Sequence, residues 1–212
     1  STEPPRRPYL PEPEGAKRLS KLDRIWIDPK EKVVLVDGYI SLNRGLLEMF
    51  ACGVNTKEHE SVVAVQSEAY LIHTALLALG AETGSPASFH PEFKPPTGTT
   101  IDIMVRYRDE QGQWQAARAQ DWVRDVRTKK PMSESWVFAG SGFWTDPETG
   151  KRHYMAESGD LICVSNFSTA MLDVPMESTQ SDERRLFEAT AELVPALGTP
   201  VRLVLKPKKP KK

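Results

Sequence analysis

The sequence predicts an α+β fold: mostly antiparallel sheet, one main packed helix over 67–79 and a short second helix near 182–193. Three observations lead there. Short runs of β-branched and aromatic residues recur between turn signals. One stretch carries apolar residues at helical spacing. No repeat of solenoid period is present, so the many strands and few helices belong to one layered domain.

The elements follow in order. RIWID and VVLVDGYISL read as strands separated by Pro29, Lys30 and Glu31. Asp37-Gly38 is either a tight turn or a bulge in one long strand, and the two options give different strand counts. LLEMFAC and SVVAV are apolar on both faces, as central strands are; they are expected to pair antiparallel, joined by residues 53–60. In SEAYLIHTALLALGAETG, Ser67 is the expected N-cap, and Ile72, Ala75, Leu76 and Leu79 form a stripe expected to pack on strands that include 61–65. Gly80 supplies the left-handed stop. A proline-laden connector spans 85–99. IDIMVRY and QWQAARA flank a glycine-containing turn, and SWVFAGSGF and RHYMAE flank TDPETG, giving two hairpins. DLICVSNF is a further strand, SDERRLFEATAEL the second helix and VRLVL the last strand.

Composition bounds the rest. The 212 residues are 39% hydrophobic and 27% charged, enough for one domain to bury a core without staples. No apolar run is long enough to span a bilayer as a helix. The formal net charge of -1 hides an asymmetry, because the final KPKKPKK holds five lysines, leaving 23 basic against 29 acidic residues. That acidic body is unlike a nucleic-acid groove, so no nucleic-acid partner is expected. The opening STEPPRRPYLPEPEG is read as an extended tether over 1–21; it suggests an exported chain, anchored through a segment preceding Ser1. The domain is placed at 22–205, with a lysine- and proline-rich tail over 206–212.

The runs LEMFAC and KEHES, the helix IHTALLALGAETGSP, and then WVFAGSGF and GDLICVSNF together resemble the YdjY domain family of bacterial exported proteins, which includes planctomycete members. The similarity covers about residues 25–205. It implies an exported protein of the periplasm or cell envelope and brings no established activity with it. Some relatives are described as ferredoxin-like for their extra cysteines. This chain has two, Cys52 and Cys163, so a cluster needing four such ligands does not carry over.

Two candidate sites emerge from the residues. The first is the 53–60 loop with its flanks: Cys52, Thr56, Lys57, Glu58, His59, Glu60 and Ser61. Cys52, His59 and Glu60 have the donor types of a divalent transition metal site, zinc being the candidate cofactor. HESVV lacks the second histidine of HExxH, which excludes that protease class. Cys52 activated by His59 or Lys57 would alternatively be a nucleophile. Against both stands an ion network in which these charges satisfy one another. The second candidate is Trp136, Gly140, Ser141, Gly142 and Trp144, where backbone amides would hold an anion and indoles would stack on a ligand; a bulged strand with core aromatics explains the same residues. Asn166 begins an N-x-S acceptor, which has meaning only in a eukaryotic secretory route. The function expected is a noncatalytic module that binds a small molecule or protein partner through the 53–60 loop. The alternative is a metal- or thiol-dependent enzyme centred on Cys52, His59 and Glu60.

Overall fold

Alternating apolar residues build the first hairpin and, through it, a barrel. In the computed structural model, which describes residues 9–177 and 186–209, a two-residue strand β1 (Lys17–Arg18) pairs with β2 (Ile25–Asp28), which pairs antiparallel with β3 (Val33–Ile40). Val34, Val36 and Ile40 enter the main core, while Val33 and Leu35 face outward with Trp26. Asp37-Gly38 lies inside β3, so the strand runs straight through the expected turn or bulge.

The remaining strands are β4 (Gly45–Leu46), β5 (Met49–Gly53), β6 (Ser61–Val65), β7 (Thr100–Arg108), β8 (Trp114–Arg118), β9 (Val123–Asp125), β10 (Trp136–Phe138), β11 (Phe143–Thr145), β12 (Arg152–Tyr154), β13 (Ile162–Cys163), β14 (Leu172–Asp173), β15 (Phe187–Ala189) and β16 (Pro200–Pro207). Eight of them close on themselves in the order β3-β16-β7-β10-β14-β13-β5-β6, with β6 returning to β3. The expected α+β layering is therefore corrected to a mostly β protein built on a closed barrel. Closure removes sheet edges, which an open sheet covered by a helix would have kept. The interior is filled by Ile101, Ile103, Val105, Trp136, Phe138, Leu172, Val201, Leu203 and Leu205.

Two glycine and pairing details explain the closure. A Cβ on Gly38 would sit 2.2 Å from the Ala64 carbonyl oxygen, so only glycine lets β6 approach β3 at the seam. β5 and β6 are adjacent, as expected, but parallel: Met49 faces Ser61 and Gly53 faces Val65. Residues 54–60 are thus a short return crossover ending in a 3-10 turn at Glu58–Glu60, not the end of an antiparallel hairpin. The β7–β8 and β11–β12 hairpins form where the turn residues place them.

A single α-helix occurs among the described residues, α1 (Ala69–Ala78). Ile72, Ala75 and Leu76 are buried in the barrel core with Val62, Val63 and Val65, and Leu79 packs against it. Its N-cap is Glu68 rather than Ser67, without a side-chain cap bond. The first-turn amides of Ala69 and Tyr70 instead donate to the Glu157 carboxylate at 3.0 and 2.8 Å, a tertiary cap that also suits the helix dipole. Gly80 stops the helix at φ +84. Of the expected second helix near 182–193, 182–185 lie outside the described residues. Residues 187–189 form strand β15 between β4 and β9, where Arg124 and Lys129 pair with Glu188.

The ends are more engaged than a tether and a tail. Leu10 is buried, and residues 10–12 pack on the outer face of β2, β3 and β16. Arg24 donates to the Leu10 carbonyl and Arg202 to that of Pro11. Strand β16 continues through Pro207 into the span assigned to the tail. Beneath the N-terminal segment, Asp37 accepts from Arg202 Nε at 2.7 Å and from Arg24 Nε at 3.0 Å. Asp37 is 2% and Arg202 3% exposed.

Removing Asp37 leaves a buried guanidinium without its counter-charge. Asp37→Ala is expected to cost about 3–5 kcal/mol in denaturant unfolding; a loss below about 1 kcal/mol would mean that water reaches Arg202 once the carboxylate is gone. Leu76→Ala, at the barrel core, is expected to cost about 2–5 kcal/mol, and a near-neutral result would place the helix stripe outside the core.

Candidate functional site

The barrel end that carries the 53–60 crossover turns its charges inward on itself. Lys57 Nζ lies 2.6 Å from Asp160 Oδ1, on the segment before β13, and 4.7 Å from the centre of the Phe167 ring. Gly159, at φ +119, lies against the Lys57 stem, where a Cβ would fall 2.8 Å from Cγ. Asp160 also accepts from the Thr169 hydroxyl. Burial opposes the Lys57 charge, but Asp160 and Glu60 outweigh it and raise the pKa of the ammonium. Glu58 bonds the Tyr39 hydroxyl, and Ser61 Oγ donates to the Lys57 carbonyl at 2.6 Å. Thr56 Oγ1 donates to the Gly53 carbonyl. Glu60 lies beside Glu48, whose carboxyl is pushed up by burial and by this acidic neighbour.

Cys52, His59 and Glu60 do not converge. Cys52 is 0% exposed and its thiol is pushed up by burial, the opposite of an activated thiolate. The His59 side chain is 78% exposed, 3.8 Å from Glu60, and lines only a shallow depression of about 250 Å³ with Tyr39, Ser41 and Leu197. Among the described residues, no three His, Cys, Asp or Glu side chains are grouped to hold a metal. Cys163 is on the strand next to Cys52 but opposite Met49, three residues away in register, and both cysteines are free.

The second candidate is also divided. Trp136 is buried and donates Nε1 to the Cys163 carbonyl at 2.8 Å, whereas Trp144 is exposed on the β11–β12 hairpin against His153. The amides of Gly140 and Ser141 donate to the carbonyls of Met171 and Ala170, so those two are not available to an anion. The Ser141 hydroxyl donates to the Thr169 carbonyl, and the Gly142 carbonyl accepts from the Met155 amide. Beside them, His73 Nδ1 and the Tyr154 hydroxyl are 2.7 Å apart; burial lowers the His73 pKa and raises that of Tyr154. Asn166 is buried, bonded to the Val174 carbonyl and Asp173.

The arrangement that can receive a ligand lies elsewhere, on the outer face of the sheet. Arg106 and Arg108 on β7 hold their guanidinium carbons 5.2 and 5.0 Å from the ring centre of Trp114 on β8. Neither arginine pairs with a carboxylate among the described residues, and Trp114 is 41% exposed. Beside them runs a groove of about 600 Å³, floored by Val33, Leu35 and Val204 and walled on the far side by Pro11–Glu14, where the acids Glu12, Glu14, Asp28 and Glu31 lie opposite the arginines. Its volume suits a bound ligand, and each guanidinium offers fork-like donors to a carboxylate, sulfate or phosphate. A signal existed in the sequence: alternation in IDIMVRYR puts Asp102, Met104, Arg106 and Arg108 on one strand face. Which face was open was not visible there. A larger hollow of about 680 Å³ near Lys30, Lys32, Gly80 and Lys206 mixes lysines with Glu31, Glu82 and Asp102 and contains no aromatic platform.

Two expectations test the acidic barrel end. His59→Ala should change stability by less than about 0.5 kcal/mol, as an exposed side chain does, while Lys57→Ala should cost about 1–3 kcal/mol by stranding Asp160. Asp173, buried beneath the cluster, accepts from the amides of Val174 and Phe167, yet burial pushes its pKa from 3.8 up to about 8. A folded-state pKa above the unfolded one stabilises the fold fully below the unfolded value, and this contribution is lost as pH rises through about 8. The stability advantage of the wild type over Asp173→Asn should therefore shrink across that window in urea titrations. An advantage that grew with pH would show that the N–H donors hold the carboxylate ionised.

Neither curated proteins nor solved structures include a match to the chain. The profile of the YdjY domain matches residues 25–206, which takes in every barrel strand but for Pro207 at the end of β16 and leaves the Pro11–Glu14 wall outside. By that match over most of its length, the chain belongs to the YdjY domain family.

Proposed function

We propose that this chain is a noncatalytic ligand- or partner-binding module of the bacterial periplasm or cell envelope, and that it binds through the groove beside Trp114, Arg106 and Arg108. The observation that carries the reading is the pair of guanidiniums stacked on one exposed indole at the rim of an apolar-floored groove. Such a platform binds by stacking and charge. The 53–60 loop, where binding was expected, spends Lys57, Glu58 and Ser61 on internal bonds. It therefore serves as a brace for the barrel end, and the binding role moves to the outer sheet face.

The test is an unbiased one. The purified protein is screened against arrayed glycans and a peptide library, beside an Arg106→Ala/Arg108→Ala variant whose fold is verified by circular dichroism. At least one ligand class should bind the wild type and be lost in the variant. A binder indifferent to both substitutions, or no binder at all, would remove the groove from consideration.

A further inference from the structure

Strand β8 is an edge of an unusual kind. It pairs with β7 alone, so alternate N–H and C=O groups of Trp114–Arg118 face away from β7, with no backbone partner among the described residues. Exposed edges are ordinarily blunted by proline, lysine, a bulge or brevity. β1 shows that protection, with two residues, Lys17 and Arg18, both exposed. β8 shows none of it. Its sequence is WQAAR, its register against β7 is unbroken, and four of its five residues are exposed. Ala116 is small and leaves room on the outer face for a neighbour's side chains, while Ala117 packs against the core on the inner one.

The part of the face next to this edge carries Arg106 and Arg108, while the acids of the groove, Glu12, Glu14, Asp28 and Glu31, belong to the N-terminal segment and the β2–β3 hairpin. Register places Trp114 opposite Arg108 and Ala116 opposite Arg106, and Arg106 in turn lies opposite Arg202 on β16. Arg202 is committed to Asp37, whereas Arg106 and Arg108 are not paired among the described residues. A strand laid along β8 would thus present alternate side chains to Trp114 and two open guanidiniums. Apolar and acidic residues in alternation satisfy that face.

We propose that the partner is an extended acidic polypeptide segment that adds to the free edge of β8 as a further strand, its carboxylates on Arg106 and Arg108. This rests on the reading above for its platform of Trp114, Arg106 and Arg108 at the groove rim; the added strand itself lies on the other side of β8 from the groove floor on β16 and β3. Main-chain bonds to the edge supply affinity, and the alternate side chains supply selection. Charge complementarity selects an acidic segment over a second copy of β8, which would bring another Trp114–Arg118 edge and its own guanidiniums against Arg106 and Arg108.

The experiment titrates the full chain with short synthetic peptides, following Trp fluorescence and amide hydrogen exchange. The first peptide alternates valine with glutamate and the second valine with lysine. Two N-methylated versions of the first carry the methyl groups on one or the other alternate set of residues. The acidic peptide should bind and the basic one should not. One methylated set should abolish binding and the other leave it, because only alternate amides of an added strand face β8. Alternate amides of Trp114–Arg118 should gain exchange protection on binding. Trp114→Ala and Arg106→Glu, checked for unchanged unfolding midpoints, should each weaken binding by about tenfold or more. Equal binding of both methylated peptides overturns the strand-addition proposal. So does concentration-dependent dimerisation through β8 seen by sedimentation. A polyanionic polysaccharide that binds at Arg106 and Arg108 when no peptide does would overturn the proposal while leaving the groove-binding function standing. Loss of binding by every probe would remove both.

Discussion

Asp37 is the point on which the barrel turns. Its amide donates to the Arg24 carbonyl and its carbonyl accepts from Gln66, so the backbone of β3 passes from β2 to the end of β6 at this residue. Its carboxylate meanwhile binds Arg24 before β2 and Arg202 on β16. Four pieces of chain, at Arg24, Asp37, Gln66 and Arg202, meet at this one residue. Two cations against one buried anion would be a poor arrangement alone. Here the carbonyls of Leu10 and Pro11 take further guanidinium donors, Glu12 approaches Arg24 at 3.8 Å, and the Trp26 ring lies under both arginines. The device specifies which strands meet more than it adds net stability, since an apolar cluster of the same shape would hold them as firmly.

Closure next to Asp37 imposes the local chemistry of the 53–60 segment. Gly38 lets β6 against β3, and β5 must then run parallel to β6 on its other side. A return of seven residues between parallel strands is short, and its turn falls over the buried end of β13 and β14. Lys57 is the counter-charge that this end requires, because Asp160 is buried there. The charged loop is therefore a consequence of strand order. Its lysine answers Asp160, brought from a hundred residues away, and Glu58 answers Tyr39 on β3, which is why they are not free to hold a ligand.

The same covering that protects Asp37 creates the groove. Residues 10–12 lie over Trp26 and Arg202. Among the described residues nothing covers Arg106 and Trp114, and Pro11–Glu14 form the step beside them. An aromatic ring and two cations sit there, next to a strand whose outer edge has no backbone partner among the described residues. The proposed binding face is thus the part of the barrel exterior that the described N-terminal segment leaves uncovered.

By itself the sequence determined the local elements whose stabilising contacts lie within a few residues. The β7–β8 and β11–β12 hairpins follow from their turn residues, and Ile72, Ala75 and Leu76 mark the buried helix face by their spacing. The family, too, was legible in the chain. Tertiary structure decided the rest, because the groups concerned meet only after closure. The cap of α1 comes from Glu157, the partner of Lys57 from Asp160, and the direction of β5 against β6 from the ring they complete. FEA at 187–189, read as helical from its apolar spacing, becomes a strand because β4 and β9 offer it backbone partners on both sides. Residue types and short-range spacing fix which groups are available. Only long-range pairing fixes which of them are consumed internally, as at Lys57, and which have no carboxylate partner among the described residues, as at Arg106 and Arg108.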